Sequence, residues 1–415
     1  MALDSKKLRR LYESAVKDEL KEKPNVKPRG EAFFTELKEG FEKGEVRPED
    51  FSIRGLMEEF IVDESGRPCG YEIVNSWNPQ NGGDAKQVSL TQLVEGGSVQ
   101  VSNFSNITGQ IVYNKTLESY KNEDFTFTQT IPTVPTQFNG ERIAGIGGIG
   151  DETEVVPEAG QYPMVGVSED WIDTPSTVKH GLILPLTKEA AFFDRTGLIL
   201  KRCAEVGEFL GINKELRAVD CVIDENTTAH RYNRKGRGAV ATYGDNSGNH
   251  DWDNLQATNG LTNWTNVDNI DQLLYTILDP NTGLPIIITG KMRLIVGRGL
   301  LRTAEQIQRA TSLQIMNPGY ATSGNPSKMV TENNVPSYEI LTSRYLAYRQ
   351  ATTTSYYYGA PDQAFCYMEN FPMTVVEAPA NSEMEFNQDI VMRWKASERG
   401  QFATVDPRKI AKATA

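Results

Sequence analysis

The stretch TKEAAFFDRTGLILKRCAEVGEFLGI, residues 187–212, decides how the rest of the chain is interpreted. Apolar side chains recur along it at the spacing of one face of an α-helix. These are Ile199, Cys203, Val206 and Leu210. Gly211 is typical of a residue that ends a helix, because glycine adopts a left-handed backbone without cost. The stretch therefore predicts a long amphipathic helix, and residues 213–227 predict a further one.

The residues immediately before this helix predict a long two-stranded hairpin over 150–186. Its first limb is TEVVPEAGQYPMVGV (153–167), and its return limb is TPSTVKHGLILPLT (174–187). Turn-forming residues lie between the two limbs. Because an isolated two-stranded hairpin is marginally stable in water, we expect this one to lie on another surface.

The N-terminal part predicts segments that also need a partner surface. Residues 3–22 and 31–44 have the pattern of charged helices with thin apolar faces. Residues 70–140 are rich in Asn, Gln, Ser, Thr and Gly, and 125–138 (FTFTQTIPTVPTQF) contain two prolines. Proline is confined to edge strands and extended segments, so this region predicts an extended arm.

The C-terminal half predicts mixed helix and strand, so the fold class is α+β. A polar loop region over 236–265 precedes a helix with Ile270, Leu274, Ile277 and Leu278 directed inward and a stop at 281–283. Buried strands are predicted at 284–290 and 291–297, and an amphipathic helix at 298–311. Further strands are predicted at about 336–350, 363–376 and 388–405.

Composition excludes several classes of protein. The 415 residues carry a formal net charge of −12, which disfavours wrapping of DNA by neutralisation of its phosphates. The four cysteines lack the spacing of a zinc site, so we interpret them as buried, reduced thiols. No apolar run has the length of a membrane span, and the N-terminus lacks a signal peptide. These features predict a cytoplasmic product.

The segment from Gly145 to Gly150, GIGGIG, matches the dinucleotide fingerprint G-x-G-x-x-G. That fingerprint needs a helix beginning at its last glycine to hold the pyrophosphate. Pro157 and Gly160 disfavour a helix here, and residues 143–178 contain seven carboxylates and no Lys or Arg. Such a segment repels phosphate, so we interpret the glycines as a flexible bend and expect no cofactor.

No arrangement of residues indicates an enzyme or a metal site. His180, His230 and His250 have no Cys or His partner at ligand spacing, and we expect His180 and His250 at the surface. The nucleophile motif G-x-S-x-G is absent, as are a phosphate-binding G-K-[ST] loop and a calcium loop. We therefore predict no catalytic residues and no metal.

Three stretches resemble the major capsid proteins of tailed bacteriophages. They are YPMVGVSEDWIDTPSTVKHGLILPLTKEAAFFDRTGLILKRCAEVGEFLG (162–211), FCYMENFPMTVVEAPANSEMEFNQDIVMRWKASERGQFATVDP (365–407) and SNITGQIVYNKTLESYKNEDFTFTQTIPTVP (105–135). The resemblance implies that family's fold, with an N-terminal arm, an extended hairpin loop, a peripheral domain with a long spine helix, and an axial domain. The corresponding division is charged helices and arm at 1–145, hairpin loop at 146–186, spine helix at 187–235, axial domain at 236–345 and closing strands at 346–415.

The resemblance also implies the function. The chain is expected to assemble with itself into hexamers and pentamers of an icosahedral phage head, around double-stranded DNA that is not bound sequence-specifically. Expected partners are a portal protein and a scaffold or decoration protein, with no membrane; assembly takes place in the host bacterial cytoplasm and the product is the virion. The alternatives are an encapsulin-type nanocompartment shell and, from the glycine motif alone, an NAD-dependent oxidoreductase.

Candidate assembly residues follow from the resemblance. The hairpin is expected to contact the adjacent subunit through Val155, Val156, Tyr162, Met164, Val167, Trp171 and Lys179. The expected hinge at its start consists of Gly145, Gly147, Gly148 and Gly150. Some related shells are cross-linked through a Lys, an Asn and a carboxylate; the available residue types are Lys179, Asn387 and Glu398, and their spacing lends this no support.

Overall fold

The computed structural model describes most of the chain beyond residue 98 and a few positions before it. The described residues are 8, 10–12, 14, 15, 37, 39, 43, 99–122, 124–145, 155–158, 160–162, 171–187, 198–234, 238–246, 250, 252–279, 283–310, 312–316, 328–332, 337–378 and 390–415. The chain divides into two compact units. One comprises Met1–Asn122, Lys179–Ile212 and Pro372–Glu398; the other comprises Glu123–Val178, Asn213–Phe371 and Arg399–Ala415.

Helices and strands are interspersed along the described residues. The helices are α1 (Val99–Tyr120), α2 (Thr126–Thr130), α3 (Leu198–Ile223), α4 (Trp264–Thr276), α5 (Arg298–Arg309), α6 (Arg344–Arg349), α7 (Pro361–Ala364) and a 3₁₀ turn at Pro407–Lys409. The strands are β1 (Thr133–Pro135), β2 (Arg142–Ala144), β3 (Trp171–Asp173), β4 (Val178–Thr187), β5 (Tyr232–Arg234), β6 (Gly238–Val240), β7 (Leu255–Gln256), β8 (Arg293–Val296), β9 (Ser312–Met316), β10 (Lys328–Glu332), β11 (Glu339–Leu341), β12 (Tyr356–Gly359), β13 (Phe365–Glu377), β14 (Ile390–Thr404) and β15 (Ile410–Ala413). The α+β class is confirmed.

In the first unit, helix α1 packs closely on the beginning of α3. The Thr116 hydroxyl donates to the Val112 carbonyl at 2.8 Å and lies 3.4 Å from the carbonyl of Cys203. A Cβ on Gly207 would lie 2.1 Å from the Thr116 carbonyl oxygen. Helix α1 contradicts the extended arm predicted for 70–140, since residues 99–120 of that region are helical.

Helix α3 confirms the predicted long helix but extends beyond the expected stop. Gly211 is buried within the helix, which continues as one element to Ile223. The prediction of a stop at Gly211 is therefore wrong. The continuation is stabilised by burial, because Val219, Cys221 and Val222 are fully enclosed in the core of the second unit.

The strands predicted near the C-terminus belong to a four-stranded sheet with the order β1-β13-β14-β4. Strand β1 is parallel to β13, with Val134 opposite Met368, and it contains Pro135 at an edge, where a missing N–H is tolerated. The extended arm predicted for 125–138 is thus correct at β1 but wrong at residues 126–130, which form helix α2.

The predicted two-stranded hairpin is not observed among the described residues. Its return limb is a strand over residues 178–187, but the neighbour of that strand in the sheet is β14. Residues 155–158 and 160–162 of the predicted first limb are not in a strand. Instead, β2 and β3 pair in an antiparallel manner, with Ala144 opposite Trp171 in the second unit.

The core of the second unit is a five-stranded sheet with helices on both faces. Its strand order is β11-β8-β12-β15-β7. In β12, Tyr356 and Tyr358 face the side covered by α4 and α5, whereas Tyr357 faces the side covered by the end of α3. A sheet buried on both faces explains why every residue of β12 is buried.

Helix α4 is confirmed, although it ends at Thr276 before the expected stop. Ile270, Leu274 and Ile277 are buried as predicted, but Leu278 is exposed. The strand predicted at 284–290 is also wrong: the chain folds back after α4 and forms only an isolated bridge between Leu278 and Pro285. The segment predicted as a strand at 336–350 contains strand β11 followed by helix α6.

Candidate functional site

The segment between β2 and β3 contains most of the residues predicted to contact a neighbour. At its base, Arg142 is opposite Asp173 and Ala144 is opposite Trp171. The Arg142 Nε atom donates to Asp173 Oδ1 at 3.0 Å, and its guanidinium lies 4.9 Å from the centroid of the Trp171 ring. This cation–π contact and ion pair hold the two ends of the segment together.

A second set of hydrogen bonds supports this base. Glu141 and Thr174 exchange backbone and side-chain bonds, including Glu141 N–H to Thr174 Oγ1 at 2.7 Å. The Asn139 Oδ1 atom accepts from the Thr177 N–H at 3.0 Å and from Arg399 Nη2 at 3.1 Å. These hydrogen bonds connect the residues before β2 to the residues after β3, so both ends of the segment are held together.

The predicted contact residues differ in how far they are available to a partner. Val155 is 97% exposed and Tyr162 is 79% exposed. Val156 and Trp171 are half-buried, and Lys179 is exposed on β4. Met164 and Val167 lie outside the described residues.

Of the four predicted hinge glycines, the structure describes one. Gly145 is half-buried directly after β2, whereas Gly147, Gly148 and Gly150 lie outside the described residues. A strand therefore precedes the glycine motif, as the dinucleotide fingerprint requires. The described residues after it, 155–158 and 160–162, are not helical, and the Gly160 N–H closes a turn on the Pro157 carbonyl at 2.8 Å.

The residues considered for cross-linking occupy different environments in the first unit. Glu398 is buried and accepts a short hydrogen bond from the Tyr120 hydroxyl. Lys179 is exposed, and Asn387 lies outside the described residues.

Sequence analysis missed a buried ionic cluster around Asp224. Its carboxylate is 2.8 Å from His230 Nε2 and 3.1 Å from Arg231 Nε, and it accepts from the Thr242 N–H at 2.7 Å. Burial raises the pKa of the Asp224 carboxyl, but the hydrogen bonds and the charges of His230 and Arg231 outweigh it and leave the pKa below its usual value. His230 thereby acquires a structural partner rather than a ligand role.

A second buried carboxylate, Glu215, attaches the segment around α2 to α3. It accepts from the N–H groups of Phe127 and Thr128 at 3.1 and 2.9 Å. The hydroxyls of Thr128 and Ser343 also donate to it. Burial raises the pKa of Glu215, while these four hydrogen bonds act against the rise. All four donors are groups of the folded chain, and those of Phe127 and Thr128 hold α2 against α3, so we interpret Glu215 as a structural residue and not as a catalytic acid.

The described thiols and imidazoles do not form a reactive group. Cys203, Cys221 and Cys366 are free and buried, as predicted, and burial raises the pKa of Cys203 and Cys366 to about 12. His180 and His250 were expected at the surface but are half-buried; the His250 ring stands edge-on to Trp252 at 5.8 Å, because the loop folds back over the core. Cys69 lies outside the described residues.

Among the residues that the structure describes, no group of His, Cys, Asp and Glu side chains is placed to hold a metal ion. No helix in the described part of the chain combines the length and the apolar character needed to cross a membrane.

Comparison with known proteins gives one family. A family model described as phage capsid protein matches residues 172–413, which is more than half of the chain. No curated protein matches the sequence.

Several solved structures align with this chain, although their sequence identity to it is low. The capsid of an empty GTA particle is 10% identical, with a TM-score of 0.42, covering 71% of this chain and 90% of its own. A chain of Mycobacterium phage Bobi is 13% identical, with a TM-score of 0.42 and coverages of 70% and 89%. A virus-like particle from Pyrococcus furiosus is 11% identical, with a TM-score of 0.37 and coverages of 73% and 97%.

Proposed function

Because the chain belongs to the phage capsid protein family, we propose that it is the shell-forming subunit of an icosahedral phage head. The observation that carries this proposal is the family match over residues 172–413, which includes strands β4 to β15. In this function, copies of the chain form pentamers and hexamers through heterologous contacts that close into rings.

The segment between β2 and β3 supports contacts with an adjacent subunit. Val155 and Tyr162 are largely exposed, so their apolar side chains are available for burial by a neighbouring copy. At the base of the segment, the ion pair between Arg142 and Asp173 holds the two ends together. Gly145 and the three glycines after it are proposed as the hinge of this segment.

The charge of the chain fits a container for DNA. A net charge of −12 gives little attraction to phosphates, so packaged DNA is enclosed without being held. A portal protein and a scaffold or decoration protein are proposed partners, and assembly is proposed to take place in the cytoplasm of the host bacterium. A phage capsid protein is structural, and we propose no catalytic step.

The test is electron microscopy and analytical ultracentrifugation of the expressed full chain. Closed polyhedral particles, or rings of five and six copies, are the expected result. A solution that contains monomers at all concentrations would contradict the proposal. Nuclease-protected DNA in particles isolated from infected cells supports a phage head, whereas an enclosed enzyme would indicate a nanocompartment shell instead.

A further inference from the structure

We propose that helix α4 and the chain reversal after it dock against helix α5 of the next copy of the chain. This inference rests on the proposed shell function and names one of its contacts. The two surfaces are defined here as the acidic surface (264–279 and 283–287) and the arginine surface (298–309).

The acidic surface carries four exposed apolar side chains, which are called its apolar patch. Tyr275 is 76% exposed and Ile287 is 80% exposed, and Leu278 and Leu284 are also exposed. Backbone bonds hold the two limbs together: Asp279 N–H donates to the Leu284 carbonyl at 2.8 Å, and Ile286 N–H donates to the Ile277 carbonyl at 3.3 Å. Ile277 is buried and Ile286 is half-buried, whereas Leu278, Leu284 and Ile287 are exposed and belong to the patch.

A buried ion pair holds this patch in place. The Asp279 carboxylate accepts from Arg408 Nη1 at 3.0 Å, and Arg408 Nε donates to Asp406 at 3.0 Å. All three side chains are largely buried. An exposed apolar surface that is held rigid has little ordering entropy left to lose when a partner covers it.

The charges on the two surfaces are complementary. Residues 264–279 contain three aspartates and no Lys or Arg. Helix α5 contains three arginines and one glutamate. Asp271 is buried and Asp279 is paired with Arg408, so Asp268 is the acid nearest to solvent. On the other surface, the side chain of Arg302 is 78% exposed and pairs with Glu305 of its own helix at 3.3 Å.

The position of the two helices favours a head-to-tail contact. Both lie on the same face of the five-stranded sheet, α5 over β8 and α4 over β12 and β15. In the sheet, β12 lies between β8 and β15, so α5 and α4 lie side by side. The side of each helix that faces away from the other helix therefore points towards the opposite edge of the sheet. A two-fold contact would place acid against acid, whereas a rotated copy places the acidic surface against the arginine surface.

The apolar part of the contact is tested by a matched pair of tyrosines. Tyr275 and Tyr348 are both 76% exposed, and Tyr348 lies on α6, outside the two surfaces. Tyr275→Ser is expected to lower the yield of assembled particles at least about tenfold, a loss of roughly 1.4 kcal/mol. Tyr348→Ser is expected to leave the yield unchanged. An equal effect of both variants, or no effect of Tyr275→Ser, overturns the inference.

The charged part is tested by a swap. Asp268→Arg and Arg302→Glu are each expected to reduce assembly, because each places like charges across the contact. The double variant restores opposite charges and is expected to recover most of the yield, a result that misfolding does not produce. A double variant no better than the single ones contradicts the contact.

A disulfide measurement separates this inference from the proposed function. In a chain carrying Cys69→Ser, the pair Tyr275→Cys and Arg302→Cys is expected to give a ladder of linked copies on a non-reducing gel. The control pair Tyr348→Cys and Arg302→Cys is expected to give none. A ladder without closed particles supports the contact but contradicts the shell, while particles without a ladder support the shell but contradict the contact.

Discussion

Asp224 is the first residue after helix α3, and its backbone φ of 50° lies in the left-handed region. Aspartate and asparagine tolerate that conformation better than most residues, so the position ends the helix as a glycine does. Its buried carboxylate is hydrogen-bonded to His230, Arg231 and the Thr242 N–H. One residue thus ends the longest helix and connects it to the loop around Thr242.

Asp224→Asn is expected to lower the free energy of unfolding of the unassembled chain by about 2–3 kcal/mol at pH 7. Asparagine keeps the tolerance for positive φ but loses the charge that Arg231 and His230 require. Urea unfolding followed by circular dichroism measures the change. Asp253→Asn, at an exposed carboxylate, is the control and is expected to change stability by less than about 0.5 kcal/mol.

The pH dependence of stability provides a second test of the Asp224 cluster. Because the pKa of Asp224 is lowered in the folded state from its usual 3.8, its contribution is complete above that value and is lost as pH falls through the folded pKa. The wild-type chain is therefore expected to lose stability below about pH 4 more steeply than Asp224→Asn. Parallel pH profiles for the two chains would contradict this account of the cluster.

At the scale of elements, two glycines in α3 show how packing overrides local preference. Glycine lowers helix stability by about 1 kcal/mol relative to alanine, so Gly211 indicated a stop. Within the first unit, however, α1 approaches α3 so closely at Gly207 that the Thr116 carbonyl occupies the place of a side chain. The close contact needs glycine, and the burial of both helices offsets its poor helix propensity.

Gly207→Ala is expected to destabilise the unassembled chain by at least about 2 kcal/mol, because the added Cβ would overlap a backbone oxygen that cannot move alone. Gly299→Ala is the control, since no atom lies within 4 Å of a Cβ at that position in α5. It is expected to raise stability by up to about 1 kcal/mol. Thermal unfolding distinguishes the two, and a stabilised Gly207→Ala would refute the close contact of α1 and α3.

The pairing of strands was less predictable than their existence. The apolar pattern of 365–377 and 390–404 was sufficient to predict β13 and β14. The pattern of 178–187 predicted β4 but not its pairing with β14, because alternation specifies which face is buried and not which strand lies alongside. Helix α1 was missed because its Asn, Ser, Thr and β-branched residues have low helix propensity, and its stability comes from packing.

At the scale of the whole molecule, the segment between β2 and β3 is proposed to contact a neighbouring copy of the chain through Tyr162. Tyr162→Ser is expected to leave the unfolding free energy of the unassembled chain unchanged, since the side chain is largely in solvent. Particle yield is expected to fall at least about tenfold if the ring is buried between copies. Sedimentation velocity of both forms measures the two effects.

Gln161→Ser changes an exposed polar neighbour on the same segment and serves as the control. It is expected to assemble like the wild-type chain. Normal particles from Tyr162→Ser would remove this residue from the proposed contact. Reduced monomer stability in the same variant would mean that its ring packs on its own subunit instead.

The sequence by itself determined the α+β class, the helices α3, α4 and α5, the strands near the C-terminus and the family. Those features depend on local periodicity and on short recognisable stretches. Only the tertiary structure decided where α3 ends, which strand accompanies β4, and that Leu278 and Ile287 point to solvent. It also brought Glu215 to Phe127 and Asp224 to Thr242. The reason is physical: each of these outcomes depends on contacts between segments that are distant in the chain, and the energy of such contacts has no signature in local spacing.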